Sequence, residues 1–217
     1  MRSLRLTARP GTTAPTLLVW LPGAYHRPED FLEAGFDARV RERGLELDLE
    51  FVALDLEHVG DRRPVDELDR EVVAPARARG SRSVWMAGIS LGGFFALHYA
   101  IAHPEAWDGL CLLAPYLGNR MLAAEIAAAG GLAAWQPGPL AESDEERRIW
   151  RFIQSHQARP AKRRPIHLGY GRDDRFAEAH RLMAAALPAG SVCEVPGGHD
   201  WKTWSVLWEH FLSSRLR

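Results

Sequence analysis

The chain has 217 residues, 47% hydrophobic and 25% charged, with 27 basic against 28 acidic side chains for a net charge of −1. That length can bury one substantial core and is short for two, and the balanced charge gives no electrostatic draw to nucleic acid or to an anionic membrane. The composition excludes disorder, collagen, coiled coil and a disulfide scaffold. Among the basic residues only Lys162 and Lys202 are lysines, a skew spread along the whole chain that reads as codon bias rather than a binding patch. Cys111 and Cys193 fall in apolar runs and are expected as buried, reduced thiols. No apolar stretch reaches the roughly 20 residues needed to span a bilayer. Residues 1–15 lack the apolar core of a secretory signal, so the expected location is cytoplasmic.

Short apolar runs alternate with amphipathic segments of helix length. Residues 3–8 read as an edge strand, a hairpin partner of the first core strand at 16–21. Helix 29–43 follows, with Phe31, Leu32, Phe36 and Val40 on one side. Then come strand 49–54, helix 65–79, strand 83–87, helix 91–103 and strand 109–114. After a longer interval come strand 165–169, helix 176–187, strand 191–195 and helix 203–215. The strand runs are continuously apolar, as in Leu110-Cys111-Leu112-Leu113, which predicts strands covered on both faces. The alternation predicts a single α/β domain, residues 1–217, with a mostly parallel central sheet and helices on both faces. Residues 115–164 break the rhythm, being about 50 residues where a simple crossover needs far fewer. They hold an Ala-rich stretch (121–134), the turn former Gln136-Pro137-Gly138-Pro139 and a charged helix at 144–157. The segment reads either as a small lid over the sheet's carboxyl edge or as one crossover helix with surface decoration.

Gly88-Ile89-Ser90-Leu91-Gly92, followed by Gly93, fits G-x-S-x-G. With 19 glycines and 10 serines the pattern would arise by chance roughly 0.08 times. It also stands between a predicted strand and a predicted helix, where a sharp turn can expose a serine and the glycines permit close helix–strand approach. A serine hydroxyl is a weak nucleophile and needs a base. Ligands of open α/β sheets bind outside the carboxyl ends of the strands, and that rule sorts the nine histidines. His98 and His103 run away from that edge along a helix. His156, His180 and His210 lie within helices and His167 lies mid-strand. His26 and His58 follow early strands near the right edge. His199 directly follows the last strand, after Gly197 and Gly198, and is the candidate base. The group that orients it should be an aspartate leaving strand 165–169: Asp173 or Asp174, one of which could be the N-cap of the next helix. Asp174 is preferred. The chain order is then Ser90, Asp174, His199.

On Gly88–Gly93, Gly171-Arg172-Asp173-Asp174 and Gly197-Gly198-His199, the chain resembles an α/β-hydrolase-fold serine hydrolase over essentially its full length. Gly197–Trp204 resembles, more narrowly, the histidine loop of the esterase-D-like carboxylesterases. The resemblance implies hydrolysis of a carboxylic ester in a small molecule, with no cofactor and no metal. It implies an acid three residues after the glycine, hence Asp174. It implies an oxyanion hole made by the backbone N–H of Leu91 and by one from the loop after the first core strand. Position gives Ala24 for that second donor, with Tyr25 next; Pro22 stands where the family usually has histidine. Tyr25, Tyr116 and Trp201 are candidate substrate contacts, with His26, Asp55, His58, Leu117 and Trp204 nearby. Serine in the elbow argues against the aspartate-dependent dehalogenases and epoxide hydrolases and the cysteine-dependent dienelactone type. Thioester hydrolysis or acyl transfer by the same three residues, and a non-catalytic ligand-binding protein of this fold, are the alternatives.

Overall fold

The computed structural model describes residues 1–54, 63–158 and 164–215. Seven strands make one sheet in the order β1-β3-β2-β4-β5-β6-β7: β1 (Ser3–Leu6), β2 (Thr16–Leu21), β3 (Leu47–Val52), β4 (Ser83–Ile89), β5 (Gly109–Leu113), β6 (Ile166–Gly171) and β7 (Val192–Val195). All neighbouring pairs are parallel except β1 with β3. The parallel strands therefore end on one edge, with β4 in the middle. Alternate residues of the apolar runs enter two separate cores. Leu17, Val19, Met86 and Leu112 face one layer, and Leu18, Trp20, Ala87 and Cys111 face the other. Covering both faces leaves no polar side to these strands, which is why they read as unbroken apolar runs.

The first layer contains α3 (Arg63–Leu68), α4 (Ala74–Ala78), α5 (Leu91–Ala102), α6 (Arg120–Ala128), α7 (Glu145–Ala158) and α8 (Ala177–Ala184). The second holds α1 (Pro28–Glu33), α2 (Phe36–Glu42) and α9 (Trp201–Arg215). In the 115–164 segment, Leu122, Ala123 and Ile126 of α6 and Ile149, Trp150 and Ile153 of α7 are all buried in the first layer, while Met121 is 79% exposed. The Trp150 indole N–H donates to the Leu117 carbonyl at 2.7 Å and ties α7 to the chain just beyond β5.

Four readings of the sequence change. The edge strand pairs with β3, not with the first core strand, because β2 already has β3 and β4 on its two sides. Its polar residues fit that partner: Ser3 donates to Glu50 and Arg5 to Asp48, both buried carboxylates. β3 also starts two residues before the expected 49–54, at Leu47, because Asp48 is held within the sheet by Arg5 rather than left in a loop. Helix 29–43 is two helices broken at Gly35, whose φ of 73° lies in the left-handed region. The apolar side runs through the break, and Arg39 closes it by donating to the carbonyls of Ala34 and Gly35 at 2.8 Å each. Helix 65–79 contains a π turn at Asp69–Val73, just before Pro75, a residue with no N–H to give to an i−4 carbonyl. Asp55 and His58 lie outside the described residues.

The elbow glycines are fixed by backbone. A Cβ on Gly92 would lie 2.0 Å from the Leu21 oxygen, and one on Gly88 would lie 2.2 Å from the Gly92 carbonyl. Neither neighbour is a side chain that could swing aside. Gly92→Ala should therefore lose about 3 kcal/mol or more of stability, at or above the upper end for overpacking. A denaturant midpoint within error of the wild type would refute that contact.

Candidate active site

Ser90 follows β4 with φ 54° and ψ −116°, a conformation costing on the order of 1–3 kcal/mol that must be held by its surroundings. Its N–H donates to Leu113 at 3.1 Å, and its carbonyl accepts from Tyr116 at 2.8 Å as well as from Gly93 at 3.0 Å. Ala114, at the end of β5, also has positive φ (47°), and its N–H reaches Gly169 at 2.7 Å. Gly93 admits the β5 loop: a Cβ there would meet Pro115 Cβ at 2.6 Å. The Leu91 amide lies in the first turn of α5, where no i−4 carbonyl precedes it.

After β2 the chain turns at Gly23–His26, closed by His26 N–H to the Gly23 oxygen at 3.1 Å. Tyr25 has φ 65° at the third position, the signature of a type II turn, where glycine is the usual occupant. Ala24 is half-buried. Tyr25 is 91% exposed and projects away from the protein.

The loops after β6 and β7 are zipped together by backbone. Arg172 N–H donates to Val195 at 2.8 Å and Asp173 N–H to Gly197 at 2.9 Å. A Cβ on Gly171 would sit 2.3 Å from the Gly197 oxygen, so that close approach requires glycine. Asp173 thus contributes its amide while its side chain is exposed, and Asp174 turns inward. His199 Nδ1 lies 2.7 Å from Asp174 Oδ2, and His199 Nε2 lies 2.9 Å from Ser90 Oγ. A carboxylate only accepts, so Nδ1 carries the proton and Nε2 presents its lone pair to the hydroxyl. Asp174 Oδ1 accepts from the Phe176 N–H at 2.8 Å. Burial alone would raise the carboxyl's pKa; the hydrogen bonds from His199 and the Phe176 amide outweigh it and hold it below the ordinary range. The rings of Phe176 and Trp204 stand edge-on to His199 at 5.3 and 5.1 Å and fix its plane.

The other candidates border this chain unequally. The Tyr116 ring lies between Phe94 and Phe176, and its hydroxyl donates to Glu146 at 2.6 Å. Glu146 also accepts from the amide and side chain of Asn119, which anchors α7 beside the site. Trp201 packs against His26 at 5.0 Å and Trp204 at 5.2 Å. Phe176 is a site residue that the sequence reading does not single out: its amide donates to Asp174 and its ring packs on His199, and its place two residues after Asp174 is the available signal.

His180 of α8 is fully buried, and its Nε2 lies 2.9 Å from the Pro115 oxygen. Burial holds its pKa down to about 4, and burial with the nearby Arg148 does the same to His98, also about 4. Both depressed values belong to the folded state. The unfolded chain takes up these protons near pH 6.5, so stability should fall as pH drops from there to 4. The slope is about 1.4 kcal/mol per pH unit per histidine, for a loss on the order of 3 kcal/mol each. Asp174 adds to the loss at still lower pH. Denaturant midpoints from pH 7 to 4.5 check this, and His180→Gln should flatten the curve by its share.

Three solved structures show the same arrangement of sheet and helices. They are FphF, a fluorophosphonate-binding serine hydrolase of Staphylococcus aureus (13% identity, 98% of this chain and 97% of that one, TM-score 0.65); Est1E of Butyrivibrio proteoclasticus (14%, 97% and 92%, 0.64); and a monoacylglycerol lipase of Paleococcus ferrophilus (15%, 99% and 99%, 0.58). With a parallel sheet and a strand–serine–helix turn at its centre, the protein has the α/β-hydrolase fold. Residues 65–212, more than half of the chain, match the model of the family described as "Putative esterase", and the chain belongs to that family. It is a carboxylic ester hydrolase. No protein of curated function matches it by sequence. Among the described residues, no helix is long and apolar enough to cross a membrane.

Proposed function

We propose that the protein cleaves a small-molecule carboxylic ester through Ser90, His199 and Asp174 by way of an acyl-enzyme. The observation that carries this reading is the continuous hydrogen-bonded chain from Ser90 Oγ to His199 to Asp174, 2.9 and 2.7 Å long at its two links, at the carboxyl edge of the sheet. Ser90 Oγ attacks the acyl carbon as His199 Nε2 takes its proton. Charge then develops on the carbonyl oxygen, and the N–H groups of Leu91 and Ala24 stabilise it; one such donor is worth about 3 kcal/mol. Asp174 holds His199 in the required tautomer and stabilises its cation. His199 returns the proton to the leaving alcohol, and water repeats the sequence on the acyl-Ser90. Tyr116 and Trp201 border the substrate, and Tyr25 stands at the mouth.

Labelling with a fluorophosphonate, wild type beside Ser90→Ala and both checked by circular dichroism, tests this. Labelling of the wild type alone is the expected result. An unlabelled, folded wild type would overturn the assignment of Ser90. Short and long p-nitrophenyl esters against acyl-CoA then separate ester from thioester hydrolysis.

A further inference from the structure

Beside Ser90, two buried polar atoms have no hydrogen-bond partner: Nδ1 of His26 and Nε1 of Trp204. A Cβ on Gly23 would lie 3.0 Å from that Nδ1 and 3.5 Å from Ser90 Cβ. The imidazole and Ser90 therefore both border the side of Gly23 on which a side chain would stand. The His26 ring meets Trp204 edge-on at 5.7 Å, and Trp204 in turn meets His199 at 5.1 Å. Both orphaned atoms thus belong to rings that adjoin the reacting residues.

Their chemistry is complementary. An indole N–H only donates. Burial lowers the His26 pKa, His199 adds to this, and Asp30 opposes it without reversing it. The imidazole is therefore neutral at neutral pH. A buried N–H without an acceptor is the rarer kind of orphan, so the proton belongs on Nε2 and a lone pair on Nδ1. The pair offers one acceptor and one donor, and a hydroxyl is the small neutral group that answers both. We propose that His26 and Trp204 form a specificity subsite for a hydroxyl group that the ester carries close to its scissile bond. The proposal rests on the reading of Ser90 as the nucleophile.

The test measures kcat/KM for ethyl 3-hydroxybutyrate (hydroxyl on the acyl side), 2-hydroxyethyl butyrate (hydroxyl on the alcohol side), their methoxy counterparts and ethyl butyrate. Wild type, His26→Phe and Trp204→Phe are compared, each checked by circular dichroism and fluorophosphonate labelling. Phenylalanine keeps a ring at each position and removes its polar atom. The wild type should prefer one hydroxylated ester over its methoxy twin by about tenfold, and each variant should bring that ratio close to one. A ratio is insensitive to any general loss passed through His199. The preferred ester says on which side of the bond the hydroxyl sits. The subsite is overturned if a wild type that labels and hydrolyses ethyl butyrate shows no hydroxyl preference. It is equally overturned if both variants keep the preference. A wild type that neither labels nor hydrolyses any ester fails differently, by removing the role given to Ser90 and the subsite with it.

Discussion

Ser90→Ala is expected to lower kcat by about 10⁴–10⁶-fold with the fold intact, because members of such a triad act as a unit. The substitution removes Oγ and nothing else that the elbow depends on. The backbone bonds from Ser90 to Leu113 and Tyr116 remain, and alanine meets the same cost at φ 54° that serine meets. Circular dichroism and the melting temperature should therefore be close to wild type while labelling disappears. His199→Ala should cost a similar factor, and the double variant little more than either alone. Additive losses, or a Ser90→Ala enzyme with more than about a hundredth of the activity, would mean that another group delivers the attack.

Asp174→Asn should lower kcat by about 10⁴-fold and Asp173→Asn by less than about threefold. The reason lies in which oxygen does what. Asp174 Oδ1 accepts from the Phe176 amide at 2.8 Å and Oδ2 accepts from His199 at 2.7 Å. In asparagine the remaining oxygen keeps the Phe176 bond, which turns the NH₂ toward His199 Nδ1. The imidazole must then carry its proton on Nε2, and the lone pair facing Ser90 is lost. Asp173 is exposed and holds the histidine loop through its amide, which the substitution does not touch. Turnover of both variants at neutral pH decides the matter. A dead Asp173→Asn beside a live Asp174→Asn would exchange the two roles.

Much of this architecture is legible from sequence because burial on both faces writes strands as plain apolar runs. Thr16–Leu21 is read to the residue. Ser90, Asp174 and His199 could be nominated because each leaves the carboxyl end of a strand among glycines, and the structure brings the three into hydrogen-bond contact. What was not legible depends on partners distant in sequence. Asp48 and Glu50 look foreign to a buried strand until Arg5 and Ser3 are seen beside them. Phe31, Leu32, Phe36 and Val40 keep one apolar side through Gly35, so the side-chain pattern gives no sign of the break that the backbone makes there. Trp204 reads as packing and His26 as one of two histidines near an edge; only their adjacency in space makes them a pair.

Tyr25, Ser90 and Ala114 are the non-glycine residues with positive φ among those described, and they follow β2, β4 and β5, three adjacent strands around the same hydroxyl. This clustering sets stability against activity. A stabilising screen that puts glycine at left-handed positions would find Tyr25 and Ala114 first, each with about 1 kcal/mol to gain. Both changes would loosen loops that set the position of Ser90 and the Ala24 amide. Thermal tolerance gained there should come with slower turnover, and gains free of that exchange should be sought far from the carboxyl edge, on the C-terminal half of α9 or the outer side of α7 toward its C-terminus.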